Sequence, residues 1–346
     1  MDINFPLGWV DNPQAVHESI QERSERGDAV MGATFTAKHD NQLPGTWERM
    51  KARGLRGVFL RDRELIATGK GNAKGTYRRP FLQRSGTCVA RGMCRGVQVS
   101  LDVSIVDNSQ LLLPVEISFA PIYTLARHEV GKDRCGYDDG AILADAARAV
   151  HDYGVATTAA ILAGNSEDFI EKQAVKYAAP GVGTPMDWIT ATRGHTCQTF
   201  WPETLDLLFD CLAAGYAVPY AMNYITGQPN KNGISGLGSW GPHCRCFTGV
   251  FVDEHGETQL ESSESWGRFP ADRPMDIDQT CPIDQIPRIT LRYADGIEKK
   301  LAPGSVGVDA KAFWGQIHSG GEAWAVSAPK FESQSIADLL KARSLV

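Results

Sequence analysis

The residue with the strongest chemical promise is a cysteine at the start of a predicted helix. In "LQRSGTCVARG", residues 82–92, a turn of small residues leads into Cys88. Apolar residues then recur at every fourth position, which predicts a helix with Cys88 in its first turn. The positive end of a helix dipole lowers the pKa of a thiol and favours the nucleophilic thiolate. At this point the sequence leaves two interpretations of Cys88, a buried thiol at a helix start and a nucleophile.

A thiolate nucleophile needs a general base and a donor for the oxyanion of the transition state. Of the eight histidines, His243 differs in context, because in "GSWGPHCRCFTGVFVDE" it follows a Gly-Pro turn and opens an apolar strand. Gln83 lies five residues before Cys88 and carries a side-chain amide that can donate a hydrogen bond. His243 is therefore a candidate base, with a capping or surface position as the alternative. Gln83 is a candidate oxyanion donor, with a surface loop position as the alternative.

The elements that must position these residues change character along the chain. Helical patterns occur in "APIYTLARHE", in "DDGAILADAARAVHDYG", where Asp138 or Asp139 is expected to cap the helix, and in "PETLDLLFDCLAAG". After Gly215 the pattern becomes strand-like, as in "YAVPYAMNYIT" and "CRCFTGVFVDE". Helices followed by strands predict an α+β protein with two lobes.

Composition excludes several classes of function. The chain has 346 residues and a net charge of -6, with no long basic run, so we expect no nucleic-acid partner. No apolar run approaches the roughly 20 residues that span a bilayer, so no membrane association is expected. The N-terminus lacks the pattern of a secretory signal, which predicts a cytoplasmic protein with eight reduced cysteines.

A structural zinc site is the alternative interpretation of the cysteines and histidines. His195 and Cys197, or His243 with Cys244 and Cys246, supply suitable ligand types. However, Cys-x-Cys on a strand directs both thiols to one face and lacks the usual Cys-x-x-Cys spacing. We therefore expect no metal and no other cofactor, and we place Cys244 and Cys246 in the core of the strand lobe.

The order of these motifs resembles the papain-like cysteine peptidases, and the helical segments resemble bacterial and phage-type members. A Gln and Cys open a helix, Gly-x-His enters a strand, and a hairpin closes on Ser-Trp-Gly at 265–267. The resemblance covers roughly residues 80–268, with "GGEAWAVSAPK" as a final strand. It implies a papain-like α+β fold, in which a helical lobe with the nucleophile helix faces an antiparallel β lobe and the active site lies in the cleft between them.

Carried onto this sequence, the resemblance implies that Cys88 is the nucleophile, His243 the base and acid, and Gln83 part of the oxyanion hole. The Gln-to-Cys separation is five, where the family usually has six. Glu264 stands where the family has the Asn that orients the imidazole, and a carboxylate can accept the same hydrogen bond. Trp266 is expected to shield that bond from water.

Substrate binding is implied for residues bordering the cleft. Asp139 and Gly140 lie at the edge of the family's helical lobe, where a glycine lets an extended peptide approach the backbone. A plain helix-capping role for this pair is an equal alternative. The expected partner is a peptide or protein substrate.

The domains predicted are an N-terminal arm over residues 1–80, a helical lobe over 81–215, a β lobe over 216–330 with an insertion at about 269–320, and a C-terminal tail over 331–346. The arm has a charged helix and a glycine-punctuated basic stretch, "GKGNAKGTYRRP". We expect it to remain attached, to pack on neighbouring subunits or around its own lobes, and not to fill the cleft.

Three functions follow from these features. The first is a thiol-dependent peptidase or amidase that works through an acyl-enzyme. The second is a non-catalytic papain-fold component of an assembly such as a phage particle, which would place the protein in a virion. The third is a peptidoglycan-directed cysteine hydrolase or acyltransferase, although the Ser-Trp-Gly closure favours the papain type.

Overall fold

The computed structural model describes residues 8–25, 45–69, 74–80, 83, 85–107, 115–162, 164–264, 282–293 and 295–330. The helices within these ranges are α1 (Pro13–Glu25), α2 (Thr46–Ala52), α3 (Asp62–Thr68), α4 (Cys88–Asp107), α5 (Phe119–Leu125), α6 (Leu143–Asp152), α7 (Thr158–Leu162), α8 (Glu167–Tyr177), α9 (Met186–Thr192), α10 (Leu205–Ala213) and α11 (Ala310–His318). A π-helical turn (Ala126–Val130) continues α5, and a 3-10 turn covers Ile283–Gln285.

The strands are β1 (Gly57–Phe59), β2 (Thr199–Phe200), β3 (Val218–Pro229), β4 (Ile234–Val252), β5 (Thr258–Ser263), β6 (Thr290–Arg292), β7 (Glu298–Lys300), β8 (Ser305–Val308), β9 (Glu322–Ala323) and β10 (Ala325–Val326). A six-stranded sheet has the order β5-β8-β4-β3-β9, with β1 added to β4. Its centre is the long antiparallel β3–β4 pair, and β8 runs parallel to β4. The predicted α+β class is confirmed.

The helix α4 lies between the two main hydrophobic cores. Residues on one face, from Val89 to Ile105, belong to the helical core, whereas Val99 and Val103 belong to the core of the sheet. The predicted helix that begins at Cys88 is therefore confirmed, and it is buried along nearly all of its 20 residues. None of the helices in the described ranges combines the length and hydrophobicity that crossing a membrane requires.

Two glycines allow α4 to approach the sheet closely. A Cβ on Gly92 would lie 2.8 Å from the Cys244 sulfur and 3.1 Å from the Arg245 carbonyl oxygen. A Cβ on Gly96 would lie 2.6 Å from the Pro219 ring. Because a carbon atom at these separations is too close to its neighbours, the contact between α4 and the β3–β4 pair requires glycine at both positions.

The expected cap of α6 is wrong. This helix begins at Leu143 with Ile142 at the N-cap position, and Ile142 makes no side-chain cap hydrogen bond. Asp139 instead accepts a hydrogen bond from the backbone N–H of Gly86, at 2.8 Å. A tertiary contact across the molecule thus takes the carboxylate that local sequence would assign to the helix.

The described residues of the predicted arm pack around the two lobes. The β1 strand pairs with β4, and Trp47 of α2 is buried in the core of the sheet. The Arg61 guanidinium, fully buried, pairs with Glu64 at 2.9 Å, and Arg95 of α4 approaches the same carboxylate at 3.4 Å. Buried charges need partners of this kind, so this ion cluster joins the arm to α4.

The tight contact at Gly92 gives a stability prediction. Gly92→Ala should lower the free energy of unfolding by about 1–3 kcal/mol, because the added methyl forces α4 away from β4. Gly315→Ala is the matched control, since Gly315 is exposed on α11 and an added Cβ there meets nothing within 4 Å. The control should be stabilised by about 0.5–1 kcal/mol through helix propensity alone. Urea unfolding of the two variants measures both effects, and equal stabilities would contradict the packing argument.

Candidate active site

Cys88 is the first residue of α4 and is completely buried. Backbone N–H groups of Cys244, Gly8 and Val89 lie near its sulfur and act to lower the pKa of the thiol. Burial nevertheless outweighs these contacts and raises the pKa of the Cys88 thiol to about 11. The expected lowering of this pKa is therefore wrong for the arrangement described, because the helix N-terminus is covered by protein.

His243 lies on β4, opposite Met222 of β3, and is also completely buried. Burial lowers the pKa of its imidazole well below the ordinary value, and the positive charge of Arg245 lowers it further. One of the N–H groups near the Cys88 sulfur belongs to Cys244, the residue directly after His243. The structure thus brings the start of α4 and the His243 end of the apolar strand together, and it keeps the imidazole neutral.

Glu264 is buried just beyond the end of β5. Its Oε1 accepts hydrogen bonds from the hydroxyl groups of Thr226 at 2.7 Å and Ser262 at 3.0 Å. Burial raises the pKa of the carboxyl, and attraction to Arg245 opposes that rise. Within the described ranges, the imidazole of His243 is not a hydrogen-bond partner of Glu264, whose Oε2 has none. Orientation of His243 by Glu264 stays a prediction.

Arg245 is the site residue that sequence reasoning missed. Its guanidinium, almost completely buried, donates to the Thr226 hydroxyl and the Tyr224 carbonyl, and lies 5.0 Å from the centre of the Tyr220 ring. Alternate residues of a strand lie on one face, so Arg245 shares the face of His243. The sequence signal for this was the spacing in "HCR", where Arg245 stands two residues after His243 on the predicted strand. The positive charge of the guanidinium attracts the Glu264 carboxylate.

Gln83 is buried next to the turn that leads into α4. Its side-chain amide donates to the Ser85 carbonyl at 2.7 Å, which holds the amide within the turn. The predicted oxyanion role of Gln83 stays a prediction. Trp266, together with Cys281, lies outside the described residues. Within the described ranges, no group of three or more His, Cys, Asp or Glu side chains is arranged to hold a metal ion.

Residues 8–10, the N-terminal strip, run beside the predicted substrate-binding pair Asp139 and Gly140. Trp9 forms a parallel bridge with Ala141, with Val10 N–H donating to Ala141 O at 2.9 Å and Ala141 N–H donating to Gly8 O at 2.8 Å. A Cβ on Gly8 would lie 1.8 Å from the Gly86 carbonyl oxygen. Gly8 also lies near the Cys88 sulfur, so these residues pack over the start of α4. The expectation that the arm does not fill a substrate cleft stays a prediction.

Trp9 is anchored by a buried carboxylate. The indole N–H donates to Glu322 Oε1 at 3.0 Å, and Oε2 accepts the backbone N–H of Ala144 at 2.7 Å and the indole N–H of Trp324 at 3.4 Å. Burial raises the pKa of Glu322 to about 7 despite these donors. The strip is therefore fixed by both its backbone and one large side chain.

Comparison with known proteins gives similarity to solved structures of cysteine proteases. Xylellain from Xylella fastidiosa is 14% identical, with a TM-score of 0.47, and the match covers 95% of this chain and 93% of that one. The bromelain protease from Ananas comosus, solved with the E64 inhibitor, is 13% identical, with a TM-score of 0.44 and coverage of 80% and 100%. The ragweed pollen allergen Amb a 11, solved in its proform, is 12% identical, with a TM-score of 0.40 and coverage of 93% and 88%. No family model and no curated protein sequence matches.

The packing of Gly8 predicts a change in thiol accessibility. Gly8→Ala should displace the strip, because its methyl would overlap the Gly86 carbonyl, and Cys88 should then react with iodoacetamide about tenfold faster or more than in the unaltered chain. Gly236→Ala is the control, since Gly236 is exposed and an added Cβ meets nothing within 4 Å. Peptide mapping after limited alkylation measures both. Equal labelling of Cys88 in the two variants would show that the strip does not protect it.

The pKa of Glu322 predicts a pH dependence of stability. The folded chain holds this proton up to about pH 7, whereas the unfolded chain releases it near the ordinary value of 4.5. Folding therefore becomes less favourable as the pH rises through this window. Glu322→Gln removes the titration, so its free energy of unfolding relative to the unaltered chain should increase between pH 5 and pH 8. Urea unfolding at both values tests this, and a constant difference would contradict it.

Proposed function

We propose that this chain is a papain-like cysteine peptidase that hydrolyses peptide bonds through Cys88 and His243. The observation that carries the proposal is the contact at the start of α4, where the Cys88 sulfur meets the N–H group next to His243. A thiol at a helix N-terminus, packed against the strand that carries a neutral imidazole, supplies the two groups that thiol-based acyl transfer requires.

Each step follows from the groups present. Neutral His243 accepts the Cys88 proton, and the thiolate attacks the carbonyl carbon of the scissile peptide bond. The imidazolium returns that proton to the leaving amine as the C–N bond breaks, which leaves a thioester on Cys88. Water, deprotonated by His243, then attacks the thioester, releases the carboxylic acid and restores the thiol. The helix N-terminus and Gln83 are proposed to stabilise the oxyanion.

The N-terminal strip supports the proposed mode of substrate binding. It lies extended against Ala141, with one backbone hydrogen bond in each direction, and it contacts the sulfur. An extended peptide that pairs with residues 139–141 would place its backbone in the same position. The strip and a substrate therefore compete, and the chain becomes active when the strip leaves.

Activity is tested with the strip displaced. The Gly8→Ala chain should hydrolyse fluorescently labelled casein, because its nucleophile is accessible. Adding Cys88→Ala should abolish the hydrolysis, and adding His243→Ala should lower its rate by about 10²–10⁴-fold, the usual contribution of a general base. Release of fluorescence under reducing conditions is the measurement.

A non-catalytic role in an assembly, such as a phage particle, is the second candidate, favoured by the contacts of Glu264. Its carboxylate is held by Thr226 and Ser262 and attracted by Arg245, rather than bonded to the imidazole. If Cys88 in the Gly8→Ala chain alkylates readily but casein is not cleaved above the Cys88→Ala background, this candidate replaces the peptidase.

A further inference from the structure

We propose that the pocket holding Trp9 is a specificity pocket for peptide ligands, and that Glu322 makes it select tryptophan over other large apolar side chains. The inference rests on the proposed function in one respect, namely that the ligand displacing the strip is a peptide substrate. The recognition itself requires only binding.

The pocket is built by parts of the chain remote from the strip. Glu322 lies on β9, which pairs with Ala221 of β3, and is 313 positions from Trp9 in sequence. The backbone N–H of Ala144 at the start of α6 and the indole of Trp324 fix Oε2. Oε1 is thereby directed to the indole N–H, in the same hydrophobic cluster that buries Trp9 to 3% exposure.

The carboxylate makes the pocket more selective than an apolar cavity. Across the described ranges, no salt bridge pairs Glu322 with a cationic side chain, so its Oε1 depends on a hydrogen bond from the occupant. A buried acceptor that loses its donor carries the full desolvation cost, so a site of this kind discriminates strongly against an analogue without the donor. Phenylalanine fills much of the same space but leaves Oε1 without its donor.

The side chain that fills the pocket in this structure indicates that the ligand residue is tryptophan. The indole combines a large apolar surface with a single N–H at its edge, and the walls match both features. The residue before the tryptophan is also restricted in size, because the Gly8 backbone passes Gly86 at a separation that only glycine permits. The recognised class is therefore an extended peptide with glycine followed by tryptophan.

Binding is measured on the full chain with the pocket vacated. Gly8→Ala and Trp9→Ala together displace the strip and remove its side chain, and Cys88→Ala prevents turnover. The probe is a fluorescein-labelled peptide with this chain's own residues 7–12, "LGWVDN". Matched probes replace its tryptophan with phenylalanine or with 1-methyltryptophan, which keeps the ring but lacks the N–H. Fluorescence anisotropy gives the three dissociation constants.

The tryptophan probe should bind about tenfold more tightly, or better, than either matched probe. Equal binding of tryptophan and 1-methyltryptophan would overturn the selection by Glu322, and absence of binding by all three would overturn the pocket as a ligand site. Glu322→Leu should make the three probes bind alike, with circular dichroism confirming its fold. If that variant does not fold, the 1-methyltryptophan comparison decides alone.

The two proposals fail separately. Selective binding without casein cleavage in the active-site-intact Gly8→Ala chain would remove the peptidase and keep the pocket as a peptide-recognition site. Cleavage without preference for tryptophan would keep the peptidase and remove this inference.

Discussion

The contact between α4 and the β3–β4 pair is the constraint on which the site depends. Gly92 packs against Cys244 and Arg245, and Gly96 packs against Pro219, so the helix axis lies closer to the sheet than a side chain would allow. This approach places the first turn of α4 beside the peptide that follows His243. The proposed nucleophile and the proposed base lie on neighbouring elements because two glycines permit this approach.

Burial determines the charge state of the ionisable groups at the start of α4. Burial raises the pKa of Cys88 and lowers that of His243, so both are neutral in the arrangement described. Arg245 reinforces the effect on His243 and attracts Glu264. Transfer of a proton from thiol to imidazole would create two charges in this enclosed space. The proposed function therefore requires that water or substrate enter when the strip leaves.

The N-terminal strip is the segment on which both proposals depend. Its backbone pairs with Ala141 as an extended ligand would, and its Trp9 side chain satisfies the buried Glu322. Without an occupant, that carboxylate would lose a donor and the cluster around it would hold a cavity, both of which are costly. The same physical need that holds the strip in place is available to bind a peptide from outside.

The sequence by itself determined the helix that starts at Cys88, the strand that carries His243 and the α+β class, because apolar periodicity and glycine punctuation are local signals. Only the tertiary structure decided that Asp139 bonds to Gly86 and does not cap α6, that Glu264 lies with Thr226 and Arg245, and that residues 8–10 cover Cys88. These outcomes join residues far apart in the chain. Which partner a buried polar group takes depends on the donors and charges that folding brings within reach, and no local pattern contains that information.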